Sequence, residues 1–161
     1  MTITTGQKLP DATLAFMGDN GPEPVDLSAK LEGRKVIIFG LPGAFTRTCS
    51  AAHLPSFMRT KPEFDKKGVD EIICVAVNDA FVMKAWSDQT GAGAAGVTLL
   101  GDPDSSFTKA IGMEFSAPAI GFFDRSQRYA MLVEDGVVTH LQQDAPGECN
   151  ISTGESFLDA I

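Results

Sequence analysis

Lys35-Val-Ile-Ile-Phe39, followed by Gly40-Leu-Pro-Gly-Ala-Phe-Thr-Arg-Thr-Cys-Ser-Ala-Ala-His-Leu-Pro55, decides the reading of this chain. The first five residues are a short apolar run of buried-strand type. A Pro/Gly turn follows and ends in Thr46-Arg-Thr-Cys49, where a helical pattern begins. A strand that empties through a tight turn into a helix aims the first N–H groups of that helix at one spot. The residue at that spot is a cysteine. The positive end of the helix macrodipole lowers a thiol pKa there and raises its reactivity at neutral pH. Thr48 is the expected N-cap, its hydroxyl accepting from an orphan N–H one turn in. A reactive thiol is therefore expected at Cys49, against the alternative of an inert core cysteine, a common fate of the residue type.

The segment from Cys49 to Lys67 reads as a helix with Leu54, Phe57 and Met58 on its apolar face. Pro55 should kink it and Pro62 should interrupt it again. Upstream, residues 1–34 read as an irregular arm with one short strand near Ala12–Phe16 and a turn at Gly18-Asp-Asn-Gly21. Downstream, Glu71-Ile-Ile-Cys-Val-Ala-Val77 is continuous apolar sequence, as in a central strand covered on both faces. Asn78-Asp79 then caps a helix from about Ala80 to Gln89. Val97–Leu100 is a further strand, and Ser105 to Ile111 a short helix. Strands near Tyr129–Glu134 and Val137–Leu141 flank Asp135-Gly136, a strong hairpin signal. A last helix covers Gly154 to Ile161. This order predicts an α/β fold, a three-layer sandwich whose sheet is parallel in part with an antiparallel edge.

At 161 residues, 43% hydrophobic and 21% charged, the chain suits one globular domain over residues 1–161. A formal net charge of −8 argues against nucleic acid or an anionic membrane surface as partner, since both need clustered Lys/Arg. The N-terminus has no apolar signal core, and no stretch reaches the length of a membrane span. A cytoplasmic protein is expected, or a mature form without its targeting segment. Three cysteines without a Cys-x-x-Cys pair do not make a secreted disulfide framework.

The spacing Pro42-x-x-x-Thr46-x-x-Cys49 resembles the active-site signature of peroxiredoxins. Gly43-Ala-Phe-Thr followed by His53-Leu-Pro is similar to their type II (peroxiredoxin-5-like) subgroup. Val77-Asn-Asp-Ala-Phe-Val82, Gly101-Asp-Pro and Arg128-Tyr-Ala-Met-Leu-Val-Glu-Asp-Gly136 match further blocks in the family order. The resemblance implies a thioredoxin-like fold with a mixed central sheet flanked by helices, in agreement with the element order. It implies a thiol peroxidase reducing hydrogen peroxide and organic (alkyl) hydroperoxides through a cysteine sulfenic acid at Cys49. Recycling would be by glutathione, with or without glutaredoxin, or by thioredoxin. No metal, haem, flavin or other cofactor is implied. A homodimer is, with Ala44-Phe45 and the start of the Ala80–Trp86 helix as contact candidates. The alternative is a redox-sensing or chaperone-like thiol protein that oxidises once and does not turn over.

By the same resemblance Thr46 would bind the peroxide oxygen and Pro42 would shield the thiolate. Without it, both read as turn residues. Arg128 would stabilise the thiolate and orient the substrate, a task that suits an always-charged planar fork of donors. Arg125 is close enough in sequence to be confused with it, and Arg128 is chosen because it directly precedes Tyr129-Ala-Met. His53, four residues after Cys49, shares a helix face with it and reads as a packed or capping histidine, a residue behind the pocket, or half of a metal pair. Cys74 sits in the most apolar run and reads as core. Cys149 follows Ala145-Pro-Gly-Glu148 in a polar loop. It is open as a possible resolving cysteine, because some members of the subgroup carry one in this region and others lack it. Arg47 stands where many relatives have Pro, which places a cation near the thiol and leaves substrate preference and reductant open.

Overall fold

The computed structural model describes residues 2–161, and of Cys49 the backbone only. Along the chain lie β1 (Thr13–Gly18), β2 (Gly21–Asp26), α1 (Leu27–Leu31), β3 (Lys35–Gly40), a π-helical turn (Cys49–His53) and α2 (Leu54–Lys66). Then come β4 (Glu71–Ala76), α3 (Ala80–Thr90), β5 (Val97–Gly101), α4 (Ser106–Ala110), β6 (Glu114–Ala117), a 3-10 turn (Pro118–Ile120), β7 (Phe122–Ser126), β8 (Tyr129–Glu134), β9 (Val137–Gln143) and α5 (Gly154–Ala160). Seven strands form one mixed sheet in the order β2-β1-β5-β4-β3-β8-β9, and β6 pairs with β7 in a separate ribbon.

The apolar runs explain the centre of that sheet. β3, β4 and β5 are parallel, with Ile38 opposite Ile73 and Cys74 opposite Leu99, and β8 adds antiparallel to the other side of β3. Side chains alternate between the two faces. Ile37, Phe39, Ile72 and Cys74 meet Leu54, Phe57 and Phe64 of α2, Met83 and Trp86 of α3, and Phe157 of α5. Val36, Ile38, Ile73 and Val75 meet Leu27 and Leu31 of α1 and Phe107 of α4. This is the expected three-layer sandwich around a mixed sheet. Each fully buried Leu, Ile or Phe contributes roughly 1.5–3 kcal/mol of transfer free energy. Cys74 is fully buried in this core, as its apolar run implied. The Asp135-Gly136 hairpin is present, with φ of 49° and 81° at the two turn residues, the left-handed pair such a turn requires.

Three expectations change. The stretch after Cys49 is not one helix kinked at Pro55. A π turn covers Cys49–His53, and α2 starts at Leu54 with Pro55 in its first turn. Proline lacks an N–H and its ring crowds the carbonyl four residues back, so the wider π turn relieves what an α-turn would not. Pro62 does not interrupt α2, which runs on to Lys66. Its apolar face, buried through Leu54, Phe57 and Phe64, outweighs one missing backbone hydrogen bond. Residues 1–34 are not an irregular arm. β1 pairs with β2, placing Pro24 opposite Ala15 and Pro22 opposite Met17, and α1 follows with Asp26 as its N-cap. Two prolines argue against a central strand, but β2 is the outer edge of the sheet, where a missing donor faces solvent. The β6–β7 ribbon was likewise not expected, because the alternation in β6 spans only four residues and β7 carries none.

Among the described residues no helix is long and apolar enough to cross a membrane.

Candidate active site

The loop that leaves the carboxyl end of β3 is fastened from several sides, beyond the carboxyl ends of the parallel strands, where ligands ordinarily bind in such sheets. At Gly40 the sheet passes so close to Tyr129 that a Cβ would lie 2.3 Å from its ring. The Pro42 carbonyl accepts from Nη1 of Arg125 at 3.0 Å. Gly43 leaves room for that guanidinium, since a Cβ there would stand 2.3 Å from the same nitrogen. The Ala44 N–H donates to Oδ1 of Asn78 at 2.9 Å. Phe45 takes φ of 64° and is 48% exposed, an unusual conformation for an aromatic residue. The Thr46 hydroxyl donates to the Gly43 carbonyl at 2.7 Å.

The helical stretch opens on Thr46. Its carbonyl accepts from the Ser50 N–H at 3.0 Å, and Arg47 and Thr48 are already helical. The N-cap position is therefore Thr46 and not Thr48. A residue whose C=O takes the first intrahelical bond is the cap, whatever its side chain does. The Cys49 backbone lies in the first turn after this cap, at the end where N–H groups are unpaired and the dipole is positive. The Cys49 side chain lies outside the described residues. Nε1 of Trp86 in α3 donates to the Ser50 hydroxyl at 2.9 Å and fixes the turn from the helical layer.

Arg128, between β7 and β8, reaches the same place. Its Nη1 lies 3.1 Å from Nδ1 of His53. His53 is fully buried, with its ring 5.0 Å from that of Phe39 and 5.8 Å from that of Phe57. Its Nε2 is 2.9 Å from the Ser152 carbonyl. Burial, and then the charge of Arg128, push the His53 pKa down to about 3, against smaller upward pulls from the Ser152 carbonyl and Asp144. Both ring nitrogens are engaged, which leaves no lone pair for a metal. Among the described residues no group of three or more His, Cys, Asp or Glu converges as ligands would.

Asp144 organises the segment that carries Cys149. Its carboxylate accepts from the N–H groups of Asn150, Ile151 and Ser152 at 3.0, 2.9 and 3.3 Å and from the Ser152 hydroxyl. These bonds hold its pKa below the usual carboxylate range despite partial burial. Cys149 is half-buried in this segment.

Pro42, Thr46 and Arg128 line one cleft of about 640 Å³, together with Phe45, Arg47, Thr48, Phe115, Ile120, Phe122 and residues 144–148. Its walls are mostly apolar, with Arg47, Arg128, Asp144 and Glu148 as the charged groups, a composition that suits a small-molecule site. A larger cleft of about 830 Å³, between the β1–β2 tip and the α3–β5 loop, contains none of the candidate residues.

Sequence reasoning missed three residues here. Asn78, read as a helix cap, instead braces Ala44, and Asp79 alone caps α3 through the Val82 N–H. Arg125, passed over in favour of Arg128, fastens Pro42. Asp144 gave no signal, because it acts on backbone N–H groups that any residue supplies.

The Redoxin family model matches residues 4–158. The chain is 45% identical over 164 residues to Peroxiredoxin-2E-2, chloroplastic, of Oryza sativa subsp. japonica, with 99% of this chain and 73% of that protein covered. Peroxiredoxin-2C of Arabidopsis thaliana is 39% identical, with 99% and 98% covered. Among solved structures, reduced Prx3 from Vibrio vulnificus in complex with H2O2 is similar at a TM-score of 0.93 and 44% identity, covering 99% of both chains. Peroxiredoxin 5 from Alvinella pompejana is similar at a TM-score of 0.84 and 30% identity, covering 98% of this chain and 97% of that one.

Proposed function

The chain belongs to the redoxin family, in its type II (peroxiredoxin-5-like) peroxiredoxin branch, and from that membership we propose that it reduces hydrogen peroxide and alkyl hydroperoxides through a sulfenic acid formed on Cys49. The observation that carries the reading is one cleft that gathers Pro42, Thr46 and Arg128 beside the helix start holding the Cys49 backbone.

In this reading the Cys49 thiolate attacks one peroxide oxygen in line. The O–O bond breaks, and the other oxygen leaves with the electron pair and takes up a proton as water or alcohol. Arg128 donates to the thiolate and to the peroxide, and no protonation change weakens it because a guanidinium stays charged. The Thr46 hydroxyl hydrogen is committed to Gly43, so its oxygen acts as acceptor for the proton of the attacked oxygen. Pro42 supplies an apolar wall that keeps water off the thiolate. Hydrogen peroxide is supported as substrate by the bound H2O2 in the Vibrio vulnificus relative. Larger hydroperoxides are supported by the apolar sides of the cleft at Phe115, Ile120 and Phe122.

The sulfenic acid condenses with an external thiol to a mixed disulfide and water, and a second thiol releases Cys49. We assign the reductant to glutathione, alone or with glutaredoxin, because the Cys149 segment is fastened by Asp144. A second reading, resolution by Cys149 and reduction by thioredoxin, is favoured by the neighbouring residues 144–148 lining the cleft. Anaerobic turnover of hydrogen peroxide with glutathione, with glutaredoxin or with thioredoxin separates them. Sustained turnover with any of these that disappears in Cys49→Ser supports the peroxidase. A single oxidation without turnover favours a thiol sensor.

A further inference from the structure

We propose that His53 is a positioning residue for the peroxidase reaction: Nδ1 of its neutral imidazole accepts from Arg128 and sets the guanidinium at the wall of the cleft, while Nε2–H anchors the Ser152 carbonyl. The inference rests on the peroxidase reading and adds to it a residue that acts through Arg128.

The tautomer follows from the partners. A carbonyl oxygen only accepts, so the nitrogen 2.9 Å from the Ser152 carbonyl carries the hydrogen. Nδ1 is then bare, and Nη1 of Arg128, which only donates, finds an acceptor at 3.1 Å. The opposite tautomer would set two donors face to face at one nitrogen and two acceptors at the other. The ring cannot turn to exchange them, because Phe39 and Phe57 pack against it. A neutral acceptor also has a consequence for charge. A carboxylate in this place would neutralise the guanidinium through a short ion pair, whereas an imidazole orients it and leaves its full positive charge for the cleft. The charged groups that act on the ring are Arg128 and Asp144, and the fully buried site keeps the imidazole neutral throughout the range in which the enzyme works.

The remaining contacts make the position rigid. The Ser56 hydroxyl donates to the His53 carbonyl at 2.6 Å and accepts from the Gly154 N–H at 2.8 Å. His53 is thereby held at the joint between the π turn, α2 and the start of α5. A group fixed on three sides can hold a substrate-facing arginine to the tolerance that catalysis needs.

Two substitutions separate positioning from packing. Asn at 53 presents its Oδ1 near the place of Nδ1 and retains an acceptor for Arg128. Gln reaches the place of Nε2 and retains the donor to Ser152 alone. The rate constant for reduced enzyme with hydrogen peroxide is expected to fall ~10-fold or more in H53Q and to return to within about 3-fold of wild type in H53N. The pKa of the Cys49 thiol is expected to rise in H53Q only. An H53Q rate equal to wild type, or equal losses in both variants, overturns the inference while wild-type turnover upholds the peroxidase. A wild-type protein without Cys49-dependent turnover overturns both. Long-range 15N NMR of the wild-type imidazole needs no variant to fold. A hydrogen on Nε2 and no titration between pH 5 and 8 are expected, and a hydrogen on Nδ1 or a titration in that window contradicts the assignment.

Discussion

His53 makes two hydrogen bonds that one neutral tautomer satisfies, and its burial turns that into a dependence of stability on pH. In the unfolded chain the imidazole titrates near 6.5. In the fold it titrates at about 3. Above 6.5 both states are neutral and the contribution is complete. As pH falls from 6.5 toward 3 the unfolded chain takes a proton that the folded chain refuses, so stability drops by at most ~1.4 kcal/mol per pH unit. The lowered carboxyls of Glu71 and Asp144 lose their contribution only at more acid pH, which leaves pH 5–6.5 to the histidine. Denaturant unfolding is expected to show the wild type losing up to about 2 kcal/mol across that interval relative to H53Q. Parallel curves for the two proteins would contradict it.

At the scale of the element, the segment from Asp144 to Ser152 is a loop held by one carboxylate. Removing it in Asp144→Ala leaves the N–H groups of Asn150, Ile151 and Ser152 without their acceptor. The expected cost is about 1–3 kcal/mol, with faster hydrogen exchange at amides 150–152 than in α2. Unchanged exchange at those amides would show that the loop is held by other means. This loop marks the boundary of what the sequence discloses. β3, β4, β5 and the β8–β9 hairpin were legible because a buried strand needs a continuous apolar run and a tight turn needs Asp-Gly. β2 was not, because Pro22 and Pro24 disguise an edge strand. The π turn was not, because the effect of Pro55 falls on residues before it. Pro42, Thr46 and Arg128 were legible as a set only through resemblance, since each alone is an ordinary turn or strand-edge residue. Their meeting in one cleft is a tertiary fact. The partners of His53 are 75 and 99 residues away, a separation no local pattern encodes.

At the scale of the molecule, a net charge of −8 sets copies of the chain to repel one another, yet Phe45 is 48% and Phe81 65% exposed. Phe81 lies in the first turn of α3, and exposed aromatics at such positions suit a protein interface. We propose that these faces join two copies of the chain next to the cleft. Light scattering at micromolar concentration is expected to give twice the chain mass, falling to one chain mass in Phe81→Asp. A monomeric wild type would exclude this interface. A dimer unchanged by Phe81→Asp would move it elsewhere.

In the proposed reaction the Cys49 sulfur accepts one peroxide oxygen, and its oxidation state is directly readable. Fully reduced protein is treated with one equivalent of hydrogen peroxide, with and without a sulfenic-acid trap, and its intact mass and peptide map are taken. One trapped adduct is expected, on the Cys49 peptide. Without the trap, glutathione is expected to yield a mixed disulfide at Cys49, and a Cys49–Cys149 disulfide would transfer the resolving step to Cys149. A Cys49 that remains an unmodified thiol would contradict the account at its root.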